Sequence, residues 1–226
     1  MDKTRTPLHK WLLVMYIVAA SKSSINAVHL AKLITVTYKT AWSMLNKIRR
    51  AITELDQSIL LSGEIEAKPD IYTRRIFHSV ETLQRERSVI VARMMATNKP
   101  SYYKLKFAPS QQEPRKPLSQ GAENSFKASH INPSTTHVNM IRKPFIPWGS
   151  YPRLRYFAPS AFRWMNDTFH GISPTKAQFY MDEYCFRKNT KHLSSSQSFE
   201  LLLSHSLIPN PATIMHTTYS LLKLAM

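Results

Sequence analysis

The strongest constraint on this chain lies in residues 6–52, where short breaks divide an apolar rhythm of helical period. Thr6-Pro7 is a helix-start pair, a hydroxyl that can cap and a ring whose fixed φ suits a first turn. Leu8, Trp11, Leu12, Met15 and Ala19 then recur on one helical face, and this helix is expected to end near Ser21. Ser24 can cap a second helix, with Ala27, Leu30, Ala31 and Ile34 as its buried stripe. Thr35-Val36-Thr37 is a short break. Thr37 caps a third helix that turns Ala41, Leu45, Ile48 and Ile52 inward, with Trp42 expected to join that core. Three short helices with a tight break between the last two make the pattern of a helix-turn-helix.

In that motif the first turn of the last helix meets base edges in the major groove. Thr37, Tyr38, Lys39, Thr40 and Ser43 occupy that turn and the next, and Lys47, Arg49 and Arg50 follow where phosphate contacts would position the protein. The competing reading is an ordinary three-helix packing unit with a solvated basic face.

Charge favours an anionic partner. The chain of 226 residues carries a formal charge of +17. Residues 1–55 hold 9 Lys or Arg and 2 Asp or Glu, a net of +7 where the helix-turn-helix is placed. Residues 56–99 net only +1, from 7 against 6. A bland source of such charge is a poorly constrained reading frame. Cys185 is the one cysteine, so neither an internal disulfide nor a Cys-based zinc site can form. The apolar run 11–20 follows Lys3, Arg5 and Lys10 in the manner of a signal peptide. It is too short to span a bilayer and reads better as a buried helix of a soluble protein, cytoplasmic or nucleoid-associated in a bacterium, nuclear in a eukaryote.

Further on, residues 59–65 and 88–95 have strand character, and 174–190, 197–206 and 212–224 have helical character. Residues 108–136 are rich in Pro, Ser, Gln and Asn and read as a linker or disordered loop.

Two blocks carry a resemblance. Thr6-Pro7-Leu8-His9-Lys10-Trp11-Leu12-Leu13 with residues 31–51, and then Gly171-Ile172-Ser173-Pro174 with Tyr180-Met181-Asp182-Glu183-Tyr184-Cys185-Phe186-Arg187-Lys188-Asn189, resemble ISXO-type insertion-sequence transposases, relatives of the Merlin elements. The resemblance covers roughly residues 6–66 and 163–205, in family order, with a weak middle. It implies a zinc ribbon, a helix-turn-helix and an RNase H-like catalytic domain whose carboxylates hold two divalent metals. Hard oxygen ligands suit Mg²⁺, and paired metals clamp the attacking and leaving oxygens of a displaced phosphodiester.

Against that pattern the chain departs at each catalytic position. No Cys precedes the helix-turn-helix. The first family Asp follows a strand that here reads Gly63-Glu64-Ile65-Glu66, and its position holds Lys68. Asp70 could stand in only after a local shift, and the intervening Pro69 cannot donate to a sheet ladder. No Asp lies between Asp70 and Asp167 for the middle position. The last acid follows an Asn-x-Ile element; after Asn139-Met140-Ile141 comes Arg142, and a family Lys position holds Phe162. A cation where a ligand belongs repels Mg²⁺.

Remaining constellations are weak. Adjacent Asp182 and Glu183 point about 100° apart on a helix and make a poor shared metal site, so Glu183 is expected to pair with Arg187 at i, i+4. His78, His130, His137 and His170 lack ligand spacing. The stretch 148–164, with Tyr151, Arg153, Arg155, Tyr156 and Arg163, has the composition of a single-strand stacking surface or of an out-of-register segment with no role.

The expected architecture is α+β. A helix-turn-helix unit (1–56) precedes a remnant of an RNase H-like sheet (57–107), an irregular or disordered segment (108–162) and a helical C-terminal part (163–226). The expected function is insertion-sequence-type DNA binding with strand transfer lost and no metal site. Duplex DNA, in the form of terminal repeats, would be the partner, together with further copies of the chain or an active relative. The alternatives are a Mg²⁺-dependent enzyme using Asp70 as a displaced catalytic acid, and a non-functional product with no stable fold beyond residue 60.

Overall fold

A computed structural model describes residues 5–21, 24–73, 86–96, 99–145, 151–170 and 172–207. The expected helix at 212–224 lies outside these residues, as do His78, Trp148 and Gly171. The architecture is α+β, and the chain divides into two units, one of residues 1–58 and 190–226 and one of residues 59–189.

The first unit contains α1 (Leu8–Ala20), α2 (Ala27–Leu33) and α3 (Tyr38–Ser58). Helix α1 ends at Ser21 as expected, but Pro7 takes the N-cap position without a side-chain cap. Its buried face is Trp11, Val14, Met15, Val18 and Ala19, while Leu8 is 62% exposed. Helix α2 is capped by Asn26 rather than Ser24: the Asn26 Oδ1 accepts the His29 N–H at 2.9 Å. Helix α3 buries Ala41, Leu45, Ile48 and Ile52 as expected and adds Met44 and Leu55, but Trp42 faces outward. A further helix, the chain's last described one (Ser195–Leu207), also belongs to this unit. It packs on α1 and α3, its Leu201 and Leu202 are buried, and the Phe199 ring stands edge-on to Tyr16 at 5.7 Å. The described residues expected in one C-terminal part therefore fall in two units, divided after Asn189.

The second unit is built on a four-stranded sheet in the order β3-β2-β1-β4. Its strands are β1 (Glu64–Tyr72), β2 (Arg87–Ala96), β3 (Lys99–Phe107) and β4 (Val138–Met140). Strands β1 to β3 pair antiparallel, and β4 lies parallel to β1 with Ile65 opposite Val138. The first strand starts five residues later than the apolar pattern suggested, after a turn in which Gly63 has φ +81°. Pro69 sits inside it, opposite Ile90. The parallel ladder shows how that is tolerated: Ile65 N donates to His137 O at 3.0 Å and Ile141 N to Ala67 O at 2.8 Å. The next donor from β1 would be residue 69, which has no N–H, so β4 ends there.

Parity along the strands divides the core in two. Ile65, Ala67, Ile90 and Ala92 face one side and pack with Leu118, Ala122, Phe126 and Ile131. Tyr72, Val89, Val91 and Leu105 face the other and pack with Leu154, Phe157, Phe162, Met165, Met181 and Tyr184.

The helix on the first face, α4 (Gln120–His130), falls where a linker was expected. Leu118, Ala122 and Phe126 recur every four residues, a stripe hidden among polar neighbours. Ser119 caps it by accepting the Ala122 N–H at 3.2 Å, Glu123 lies in the first turn, and Lys127 and His130 lie in the last. The loop before it is ordered by buried Gln112, which accepts from Ser119 N and donates to Glu113 O and Pro117 O.

On the opposite face lie α5 (Pro152–Arg155), α6 (Phe157–Phe169) and α7 (Pro174–Asn189), so the helical start at residue 152 also falls within the segment expected to be irregular. The helix of the first unit at Ser195–Leu207 is then α8. Helix α7 runs beside the outer edge of the sheet. The Gln178 amide accepts the Phe107 N–H and donates to Leu105 O, both at 2.9 Å. Asn189 does the same for Tyr103 N–H and O, at 2.8 and 2.9 Å.

Candidate nucleic-acid interface

The connection between α2 and α3 is set by Thr35, whose φ is +53°. The left-handed residue reverses the chain and lets Val36 N reach Ala31 O at 3.1 Å, closing the end of α2. The Lys10 ammonium donates to Thr35 O at 3.1 Å and ties the turn to α1. Two residues later Thr37 Oγ1 accepts the Thr40 N–H at 3.2 Å, and the two hydroxyls lie 2.9 Å apart. This is the cap expected for the third helix.

Beyond the cap, Thr37, Tyr38, Lys39, Lys47 and Arg50 are exposed, with Thr40 and Ser43 half-buried. Lys39, Ser43, Lys47 and Arg50 follow at intervals of four, four and three, which keeps them on one helical face. Tyr38, 57% exposed, and Trp42, 37% exposed, border it. The Lys47 ammonium stands 5.5 Å from the centre of the Trp11 ring, a contact that holds the charge near the surface.

Arg49 does not belong to this face. It is 2% exposed, on the stripe that also buries Leu45, Ile52 and Asp56. Here α8 packs on α3 as well, and His205 lies close enough to Glu54 to feel its charge. At 2% exposure Arg49 does not present its guanidinium to a phosphate, contrary to expectation.

In the second unit, Lys68 and Asp70 share a face of β1. The buried Lys68 ammonium donates to Asp70 Oδ2 at 2.7 Å and to Pro69 O at 2.9 Å. The other Asp70 oxygen accepts the Ile71 N–H at 2.9 Å. Arg142, just past β4, donates through Nε and Nη2 to Glu123 Oε2 at 3.0 Å and through Nη2 to Gln120. Lys127 takes the other Glu123 oxygen at 2.6 Å. Burial pushes the Glu123 carboxyl up, but the hydrogen bonds and charges of Lys127 and Arg142 outweigh it and hold the group below its ordinary value.

The two adjacent acids of α7 are structural. Asp182 meets Lys106 at 2.7 Å and Glu183 meets Arg187 at 2.8 Å, the latter as expected at i, i+4. Among the described residues no three His, Cys, Asp or Glu side chains converge on a point where a metal could sit. Among them, too, no helix is long and apolar enough to cross a membrane. The amides of Gln178 and Asn189 carried no signal in the sequence, because a side-chain cap on a strand edge has no local spacing. No family model, curated protein or solved structure matches the chain.

Proposed function

We propose that the first unit binds duplex DNA through α3 and that the second is an RNase H-like scaffold of insertion-sequence origin that has lost strand transfer. The observation that carries the DNA reading is the capped start of α3, with Tyr38, Lys39, Lys47 and Arg50 exposed and Thr40 and Ser43 half-buried between them, set after a tight left-handed turn. Its first turn would meet base edges, and Lys47 and Arg50 would meet phosphates.

The order β3-β2-β1-β4, with β4 parallel to β1 across a helical crossover, supports the scaffold reading. So does the resemblance in residues 6–66 and 163–205. A pair of divalent metals does not fit the residues present. The ammonium of Lys68 lies against Asp70, and the guanidinium of Arg142 stands where the last acid would follow β4. Both would repel a cation. Terminal repeats remain the natural DNA target, and a protein that holds such ends without cutting them would inhibit an active relative.

Selection of duplexes from a random library by the full chain tests this reading. An enriched motif is expected at about 0.15 M salt, the physiological value. Lys39→Ala should relax it, and Lys47→Ala or Arg50→Ala should each lower the salt slope by about one while leaving the motif intact. A wild-type chain that enriches nothing, with all three variants binding duplex as it does, would sink the proposal.

A further inference from the structure

We infer that the second unit carries a separate surface for single-stranded nucleic acid, built from Arg153, Arg155, Tyr156 and Arg163 where α5 meets α6. Residues 124–166 hold six Lys or Arg and no Asp or Glu. Among the described residues of this unit, the exposed large hydrophobic side chains are Phe145, at 66%, and Tyr156, at 53%, and both lie in that acid-free stretch.

Tyr156 is outward by construction. Its neighbours Leu154, Phe157 and Ala158 are buried in the core beneath α5 and α6, so the junction is anchored while the ring at its crest faces solvent. Tyr151, in the left-handed region at φ +47°, starts α5, and its hydroxyl accepts from Asn139 Nδ2 at 3.0 Å, which fixes the entry to the turn. Tyr156, Pro159, Ser160 and Arg163 form the exposed stripe that leads from the junction along α6. Seven residues separate the ring from Arg163, about 10.5 Å of helix. The Arg155 guanidinium lies 6.0 Å from the centre of the Tyr156 ring, and Arg153 is exposed one turn back. Asp167 lies one turn beyond Arg163 and ends the basic run.

An exposed ring flanked by guanidinium groups offers a stacking face and phosphate partners together. Bases paired in a duplex are already stacked on both faces, so the ring selects an unpaired base. The surface lies on a different unit from α3 and does not depend on the duplex reading.

The test uses the full chain and labelled oligo(dT) and oligo(rU) of about 20 nucleotides, long enough to fill a single-strand site. Tyr156→Ala should weaken binding of one or both polymers at least about fivefold, the low end for one stacked base. Tyr156→Phe, which keeps the ring, should bind as wild type. Arg163→Glu should weaken binding by removing a phosphate partner, and should make the remaining affinity fall less steeply with salt. Unchanged thermal unfolding and unchanged duplex affinity in the same variants show that the fold and the α3 face are intact. Whichever polymer shows the loss identifies the ligand. The inference is overturned if wild type binds neither polymer, if Tyr156→Ala and Arg163→Glu bind as wild type, or if Tyr156→Phe is as weak as Tyr156→Ala.

Discussion

Lys68 and Asp70 stand two residues apart on one strand, so their side chains leave the same face of the sheet, and the ammonium rests 2.7 Å from the carboxylate. The buried cation has its counter-charge in the next acid along the same face of the strand. The pair occupies one oxygen of Asp70 and makes that acid necessary for stability.

Replacing the acid should therefore cost stability rather than activity. The Lys68 side chain is 3% exposed, and Asp70→Asn would leave its charge buried without compensation. Because Asp70 itself is 20% exposed, a loss of about 2–3 kcal/mol is expected, below that for a fully enclosed pair. Lys68→Met added to Asp70→Asn should recover most of it, since the charge is then gone. Urea unfolding of the three variants measures both steps; an Asp70→Asn protein as stable as wild type would refute the account.

The edge of β3 offers a second test. The Gln178 and Asn189 amides satisfy four main-chain groups of Tyr103, Leu105 and Phe107. Each such bond is worth about 1 kcal/mol net, so Gln178→Leu with Asn189→Leu should destabilise the chain by about 2–4 kcal/mol. It should also leave an unsatisfied strand edge that recruits another copy. Sedimentation across a range of concentrations should show association in the double variant only. A monodisperse double variant with wild-type stability would show that the amides contribute nothing.

Acidification should loosen the first unit. Burial holds His205 below its ordinary imidazole value, against the opposing pull of Glu54. The unfolded chain then binds the proton more readily than the folded one. The contribution is complete above the unfolded value of about 6.5 and declines as pH falls from there through the lowered folded value. Thermal unfolding followed from pH 8 to pH 5 should show that decline, and His205→Gln should remove part of it. An identical pH dependence in wild type and His205→Gln would exclude this histidine as the cause.

The helical period of residues 6–52 revealed three helices because their spacing is local: Ala41, Leu45, Ile48 and Ile52 must face one way on any α-helix. The cap at Thr37 was equally legible, being an interaction across three residues. Helix α4 was hidden because Leu118, Ala122 and Phe126 are outnumbered by polar neighbours, and because Gln112, rather than a sequence pattern, orders the approach to it. The Glu183–Arg187 pair was legible because Arg187 is one turn away. The partner of Asp182 was not, because Lys106 comes from β3, a distant strand.

The helix-turn-helix pattern, its cap and the basic character of its last helix belong to the sequence by itself, since each is written within a few residues. Tertiary structure decided which of those basic groups face solvent. Arg49 is 2% exposed, in a unit that α8, some 150 residues further along the chain, joins by packing on α1 and α3. Burial is a property of what covers a surface, and no spacing within residues 6–52 could name that cover.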